Sequence, residues 1–139
     1  IDGNKKKYKL YIKMLVHVSI GELIDKFTIL LIKKLKINDQ EKLNKITIEI
    51  DYLKKDVQNI KNKHQINDLF DNLININKKL WNIEDNIRLK EKNNEFDNEF
   101  IELARSVYFT NDERAFIKNE INKKTESNIF EVKSYENYK

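Results

Sequence analysis

The sequence predicts an all-α fold, an antiparallel bundle of about four long helices made from two helical hairpins, with short strand-like segments at its two ends. Three observations carry this expectation. The 139 residues include no proline and only two glycines, the residues that most often punctuate a chain. Apolar residues recur at spacings of three and four through most of the length. Charged residues make up 36% of the chain, which suits the solvated faces of helices better than a sandwich of sheets. The length fits one domain with a buried core.

The elements follow in order. Tyr8, Leu10, Ile12, Met14, Val16 and Val18 alternate with Lys9, Tyr11, Lys13, Leu15 and His17, the period of a strand with one buried face. Together with the lysines before it, this gives a basic arm and strand-like segment over 1–18. Met14 is the only methionine and a candidate translation start, which would make 1–13 an added arm. From Ser19 the period changes. Ile20, Leu23, Ile24, Phe27, Leu30, Leu31 and Leu35 form one helical stripe, with Ile29 and Ile32 behind it. That helix should be the most buried, or should meet a second chain. Ser19-Ile-Gly-Glu22 has the form of a capping box, and the Glu22 carboxylate occupies the positive helix end where a phosphate would otherwise sit. Asp25 and Lys26 fall off the stripe and are expected on the surface.

Asn38-Asp39 ends the first helix. A second, about Asp39 to Lys63, places Leu43, Ile46, Ile50, Leu53, Val57 and Ile60 on one face. A third spans Ile66 to about Lys90 and a fourth Phe96 to about Thr125. The fourth contains Thr110-Asn111-Asp112-Glu113, a second capping-box pattern, but no glycine or proline assists a break there and a continuous helix is expected. The bundle domain is therefore 19–126. A strand-like tail, 127–139, follows, with Ile129 to Lys133 as a short strand to pair with the first.

Composition excludes several classes of function. Without cysteine there is no disulfide framework or thiolate metal site. The longest apolar run, Ile29 to Ile32, cannot cross a bilayer, and no signal-peptide pattern occurs, so a cytoplasmic protein is expected. The net charge of +4 resides entirely in residues 1–13, leaving the body neutral, so nucleic acid is not an expected partner. His17 and His64 stand alone, without a histidine at helical spacing, and neither a metal nor a cofactor is expected. No nucleophile elbow or paired-carboxylate arrangement points to catalysis.

Polar residues where apolar ones belong supply the candidate site. In the third helix Asn77, Glu84 and Arg88 lie near the stripe of Ile66, Leu69, Leu73, Leu80 and Ile87. In the fourth, Arg114 falls at the centre of the stripe of Phe96, Phe100, Leu103, Val107 and Ile121, with Asn111 and Lys118 beside it. A charge facing a core must be paired or solvated. Glu84, Arg88, Asn111, Arg114 and Lys118 therefore form either a buried register-fixing network or a pocket with surplus positive charge for a small carboxylate or phosphate. Phe109 and Phe116, off the main stripe, join Ile29 and Ile32 as a candidate interface.

The blocks Val18-Ser-Ile-Gly-Glu-Leu-Ile-Asp-Lys-Phe-Thr-Ile-Leu30, Trp81-Asn-Ile-Glu-Asp-Asn-Ile-Arg88, Phe100-Ile-Glu-Leu-Ala-Arg-Ser-Val-Tyr108 and Thr110-Asn-Asp-Glu-Arg114 resemble those of an uncharacterised bacterial family known only as a domain of unknown function. The resemblance covers about Met14 to Tyr135. It implies a small cytoplasmic helical protein and a loose link to cell-surface polysaccharide assembly, but no activity. The functional expectation is a non-catalytic interaction or accessory module, acting as a homodimer or against another protein. The alternative is a small-anion-binding protein or enzyme using the polar pocket.

Overall fold

The structure, a computed structural model, describes residues 13–138. It contains four helices, α1 (Ile20–Lys36), α2 (Gln40–His64), α3 (Asn67–Lys92) and α4 (Asn98–Lys124). Three of them start on a side-chain cap. Ser19 Oγ accepts from the Glu22 amide at 3.0 Å, Asp39 from Lys42 at 2.9 Å and Asp97 from Phe100 at 3.0 Å. α1 ends on an extended residue, Ile37, whereas the other three helices end through a left-handed residue, for which a chain this poor in glycine uses others. Gln65, Asn94 and Glu126 have φ of 51°, 54° and 56°. After α3 and α4 the amides close full Schellman motifs, Glu95 to Lys90 O at 2.9 Å and Ser127 to Asn122 O at 2.9 Å. As expected, α4 runs unbroken through Thr110. That side chain is 1% exposed in the helix interior and is not spent on a new cap.

Short connections make α1–α2 and α3–α4 antiparallel hairpins. α1 packs against each of the other three helices, and α3–α4 is the most extensive pair. The core joins Ile24, Phe27 and Leu30 of α1 to Ile46, Ile50 and Val57 of α2, and to Phe70, Leu73 and Ile121 of the second hairpin. α1 is also buried along a second row, Gly21, Asp25, Thr28 and Ile32, because helices cover it on more than one side. Its stripe stops short of Leu35, which is 74% exposed.

The expected strands are not formed among the described residues. Of the alternating segment, residues 8–12 lie outside those described, and 13–18 have no regular structure. The tail after α4 is also without regular structure, and it folds back along α4. Asn119 Nδ2 donates to the Glu131 carbonyl at 3.2 Å. The Tyr138 ring meets Tyr108 and Phe109 edge-on, with centroids 5.3 Å apart in each case, and its hydroxyl donates to Asp112. That hydrogen bond pushes the Tyr138 phenol up to about 12. Neither segment buries its apolar residues: Met14, Val16 and Val132 are largely exposed, and the tail is held through Glu131 and Tyr138 instead.

Gly21 explains how closely α1 and α4 approach. A Cβ there would lie 2.3 Å from the Lys118 carbonyl oxygen and 2.9 Å from Asn122 Oδ1. The Gly21 amide donates to that same Oδ1 at 2.6 Å. Backbone therefore lies against backbone, a contact open only to a residue without a side chain. Gly21→Ala is expected to destabilise the fold by about 2 kcal/mol, the usual range for overpacking. Urea unfolding should show a lower midpoint at unchanged slope; an unaltered midpoint would disprove the close approach.

Candidate functional site

The close approach of α1 and α4 brings a carboxylate into the interior. Asp25, expected on the surface, is 1% exposed. Buried without partners it would be strongly unfavourable, and the structure surrounds the carboxylate with donors from α3 and α4. Arg114 of α4 binds it with both faces of its fork, Nε to Oδ1 at 2.9 Å and Nη2 to Oδ2. Asn77 of α3 donates to Oδ1 at 2.8 Å and to Thr28 Oγ1 at 2.9 Å, while Thr28 donates to the Asp25 carbonyl at 2.8 Å. One turn beyond Arg114, Lys118 sits 3.9 Å from Asp25, 2.7 Å from Glu22 and 2.9 Å from Glu131 of the tail. The return half of the Ser19 capping box is thereby replaced. Glu22 turns to Lys118 instead of to the Ser19 amide.

Electrostatics keep both cations charged. The Arg114 guanidinium is held above its ordinary range chiefly by its hydrogen bonds to Asp25, against the opposing effect of burial. For Lys118 burial is the largest single influence and pulls downward. Pairing with Glu22, Glu131 and Asp25 outweighs it and leaves the ammonium above its ordinary range. Two cations face three carboxylates, so the cluster has no spare positive charge with which to attract an anion.

On the outer side of Arg114 lies a cleft of about 530 Å³. Asn77, Leu80, Trp81, Glu84, Asp85 and Arg88 of α3 line one wall, Asn111 and Arg114 of α4 the other, and Ile29 of α1 the base of the set. Four of the five residues picked out in the sequence, Glu84, Arg88, Asn111 and Arg114, thus share one cleft. Lys118 does not line it. Glu84 and Arg88 do not face the core as their spacing suggested. They pair with each other on the surface, Arg88 being 72% exposed. The core has ended by that height, since Ile83 is the last buried residue of α3 and Thr110 the first of α4. The two acids and two arginines of the cleft cancel, and the expected surplus of positive charge is absent from its lining.

The candidate interface residues do not form one patch. Ile32 is 2% exposed, buried by its own chain and closed to any partner. Ile29 lines the cleft, Phe109 lies under Tyr138, and Phe116 is 65% exposed on α4. Among the described residues no group of three or more His, Cys, Asp or Glu side chains could hold a metal ion.

Residues 14–138 match the model of a family described as a family of unknown function (DUF6165). The chain belongs to that family. No curated protein and no solved structure matches it. The DUF6165 match takes in all four helices and the tail through Tyr138, so the Asp25 cluster and its Glu131 contact lie wholly within the family region.

Asp25 escaped the apolar stripe, but its row held a signal. Gly21, Asp25, Thr28 and Ile32 recur at four, three and four, a face of small and polar residues that includes a glycine. Asp25→Asn should cost about 3 kcal/mol or more, because Arg114 and Lys118 are left without their shared carboxylate. Lys26→Ala, which removes only the exposed pair with Glu49, should change stability by less than about 1 kcal/mol. Denaturant unfolding of the two variants, side by side, tests the assignment; equal losses would refute it.

Proposed function

We propose that this protein is a non-catalytic interaction module that presents the outer half of the α3–α4 hairpin to a partner protein. The observation that carries the reading is the distribution of burial. No residue from 84 to 109 is buried, although this stretch holds Ile87, Leu89, Phe96, Phe100, Ile101, Leu103, Val107 and Tyr108. Leu89, Phe96 and Ile101 are 55%, 56% and 50% exposed. Isolated helix pairs are marginal in water without an apolar face to bury. α1, with 17 residues, is about 26 Å long against about 39 Å for the 26 residues of α3, too short to cover the hairpin throughout. The tip is instead held by charge, with Lys90 within 3.0 Å of Glu95, Asp97 and Glu99, which raises its ammonium well above the ordinary lysine range. Such exposed ion pairs set geometry more than they stabilise.

Native-state hydrogen exchange tests the proposal. Amides of 84–109 should exchange at least a hundredfold faster than those of α1, and binding of a partner should slow them selectively. Ile101→Glu should abolish that protection while leaving the melting of the core unchanged. If the hairpin tip exchanges as slowly as α1 in the isolated protein, it needs no partner and the reading fails.

A second reading is favoured by the cleft beside Arg114. Its neutral lining, amide groups and the partly exposed face of Trp81 suit a small ligand with both donors and acceptors rather than a bare anion. Trp81 fluorescence gives a direct measure. It is the only tryptophan, so a binding ligand should shift its emission, and Asn111→Leu should weaken that response about tenfold. A phosphate or acetate titration that shifts the emission at millimolar concentration would restore the anion reading.

A further inference from the structure

The tail and the face of α4 beneath it are a matched pair. Asp112, Phe116 and Asn119 follow one another at four and three along that face. The tail crosses it in the opposite direction, Glu131 at the level of Asn119 and Tyr138 at the level of Asp112. Lys133, Tyr135 and Tyr138 complete a groove of about 240 Å³ with Val107, Tyr108 and Asn111. The tail contacts described here run through side chains of α4 or of the cluster beside it. None of them depends on the two segments belonging to the same molecule.

Two further features bear on which molecule supplies the tail. The hinge between α4 and the tail contains Glu126 at φ 56°, a left-handed conformation unfavourable for a residue with a side chain. If α4 continued through Glu126, that residue would return to ordinary helical geometry and the tail would swing away from its own helix. Phe116, in the middle of the crossed face, remains 65% exposed although the tail touches positions on either side of it. The closed chain thus leaves an apolar side chain uncovered beside a strained hinge, the two conditions that favour exchange of an element between copies.

We propose that the protein dimerises by tail exchange, residues 128–138 of one copy occupying the α4 face of a second copy. Glu131 then reaches Lys118 of the other copy and Tyr138 its Asp112. The two Glu126 hinges relax, and the α4 faces around Phe116 approach each other. The partner is a second copy of this chain, and the surface meets the outer half of the α3–α4 hairpin only at Val107, Tyr108 and Phe109.

Sedimentation equilibrium and cross-linking test this together. The natural sequence has no cysteine, so single introduced thiols are unique. One preparation carries Ser134→Cys in the tail and another Asn111→Cys in the groove. They are mixed at high concentration and treated with a short bismaleimide. Exchange predicts a product of twice the chain mass containing one of each. A chain carrying both thiols should close on itself when dilute. Glu126→Gly, which removes the hinge strain in the closed form, should raise the dimer dissociation constant about tenfold, equivalent to 1.4 kcal/mol over two hinges. Removal of 128–138 should abolish the dimer, with circular dichroism confirming that the helices persist. A monomer at millimolar concentration overturns the proposal, as does a dimer that survives removal of the tail. A dimer lost on Ile101→Glu but not on tail removal would also overturn it, while supporting the hairpin surface.

Discussion

One buried carboxylate sets the terms for the rest of the fold. Asp25 is tolerated in the interior only because donors surround it, and they come from residues 52 and 89 positions away in the chain, Asn77 and Arg114. Hydrophobic burial alone would allow α1 to slide or rotate against its neighbours at modest cost. A bidentate guanidinium and an amide directed at the same carboxylate allow far less freedom. The contact of Gly21 with the α4 backbone, the pairing of Lys118 with Glu22 and Glu131, and the docking of the tail all follow from this alignment. The general expectation that buried ion pairs add little net stability is compatible with this arrangement. Its effect is on which arrangement forms, more than on how stable that arrangement is.

The molecule divides its apolar residues unevenly. α1 and α2 concentrate theirs into a core with the first half of α3 and the last turns of α4, while the remainder of the second hairpin stays half-covered. The cleft beside Trp81 occurs where these regimes meet, just beyond Ile83. A ligand or a partner at that boundary would touch both the well-packed part and the loosely packed part. This is the position from which binding could order the hairpin without disturbing the core.

Much of the architecture was legible in the sequence because each helix carries its own pattern. The stripe of Leu43, Ile46, Ile50, Leu53, Val57 and Ile60 specifies α2 without reference to any other element. Glu84 and Arg88 show where local pattern stops being informative. Their angle on α3 was right, but angle says which way a side chain points and not whether the core extends to that height. Height depends on the lengths of the packed neighbours, a property of the whole chain. Asp25 failed for the complementary reason. A charged residue off the apolar stripe reads as surface, and only the glycine one turn before it points to a neighbouring backbone. The expected tail strand, Ile129 to Lys133, depended on a partner strand, and residues 13–18 supply none.

The left-handed residues that end α2, α3 and α4 have a consequence for thermal tolerance. Gln65, Asn94 and Glu126 occupy positions where glycine would be least strained, and each residue with a Cβ there is disfavoured by roughly 1 kcal/mol. Summed over three sites, this is a sizeable part of the ~5–15 kcal/mol by which a domain is usually stable. The scarcity of glycine therefore leaves the protein below the stability its core could support. At Gln65 and Asn94 that reserve lies away from the Asp25 cluster and the cleft, where it can be recovered without altering either.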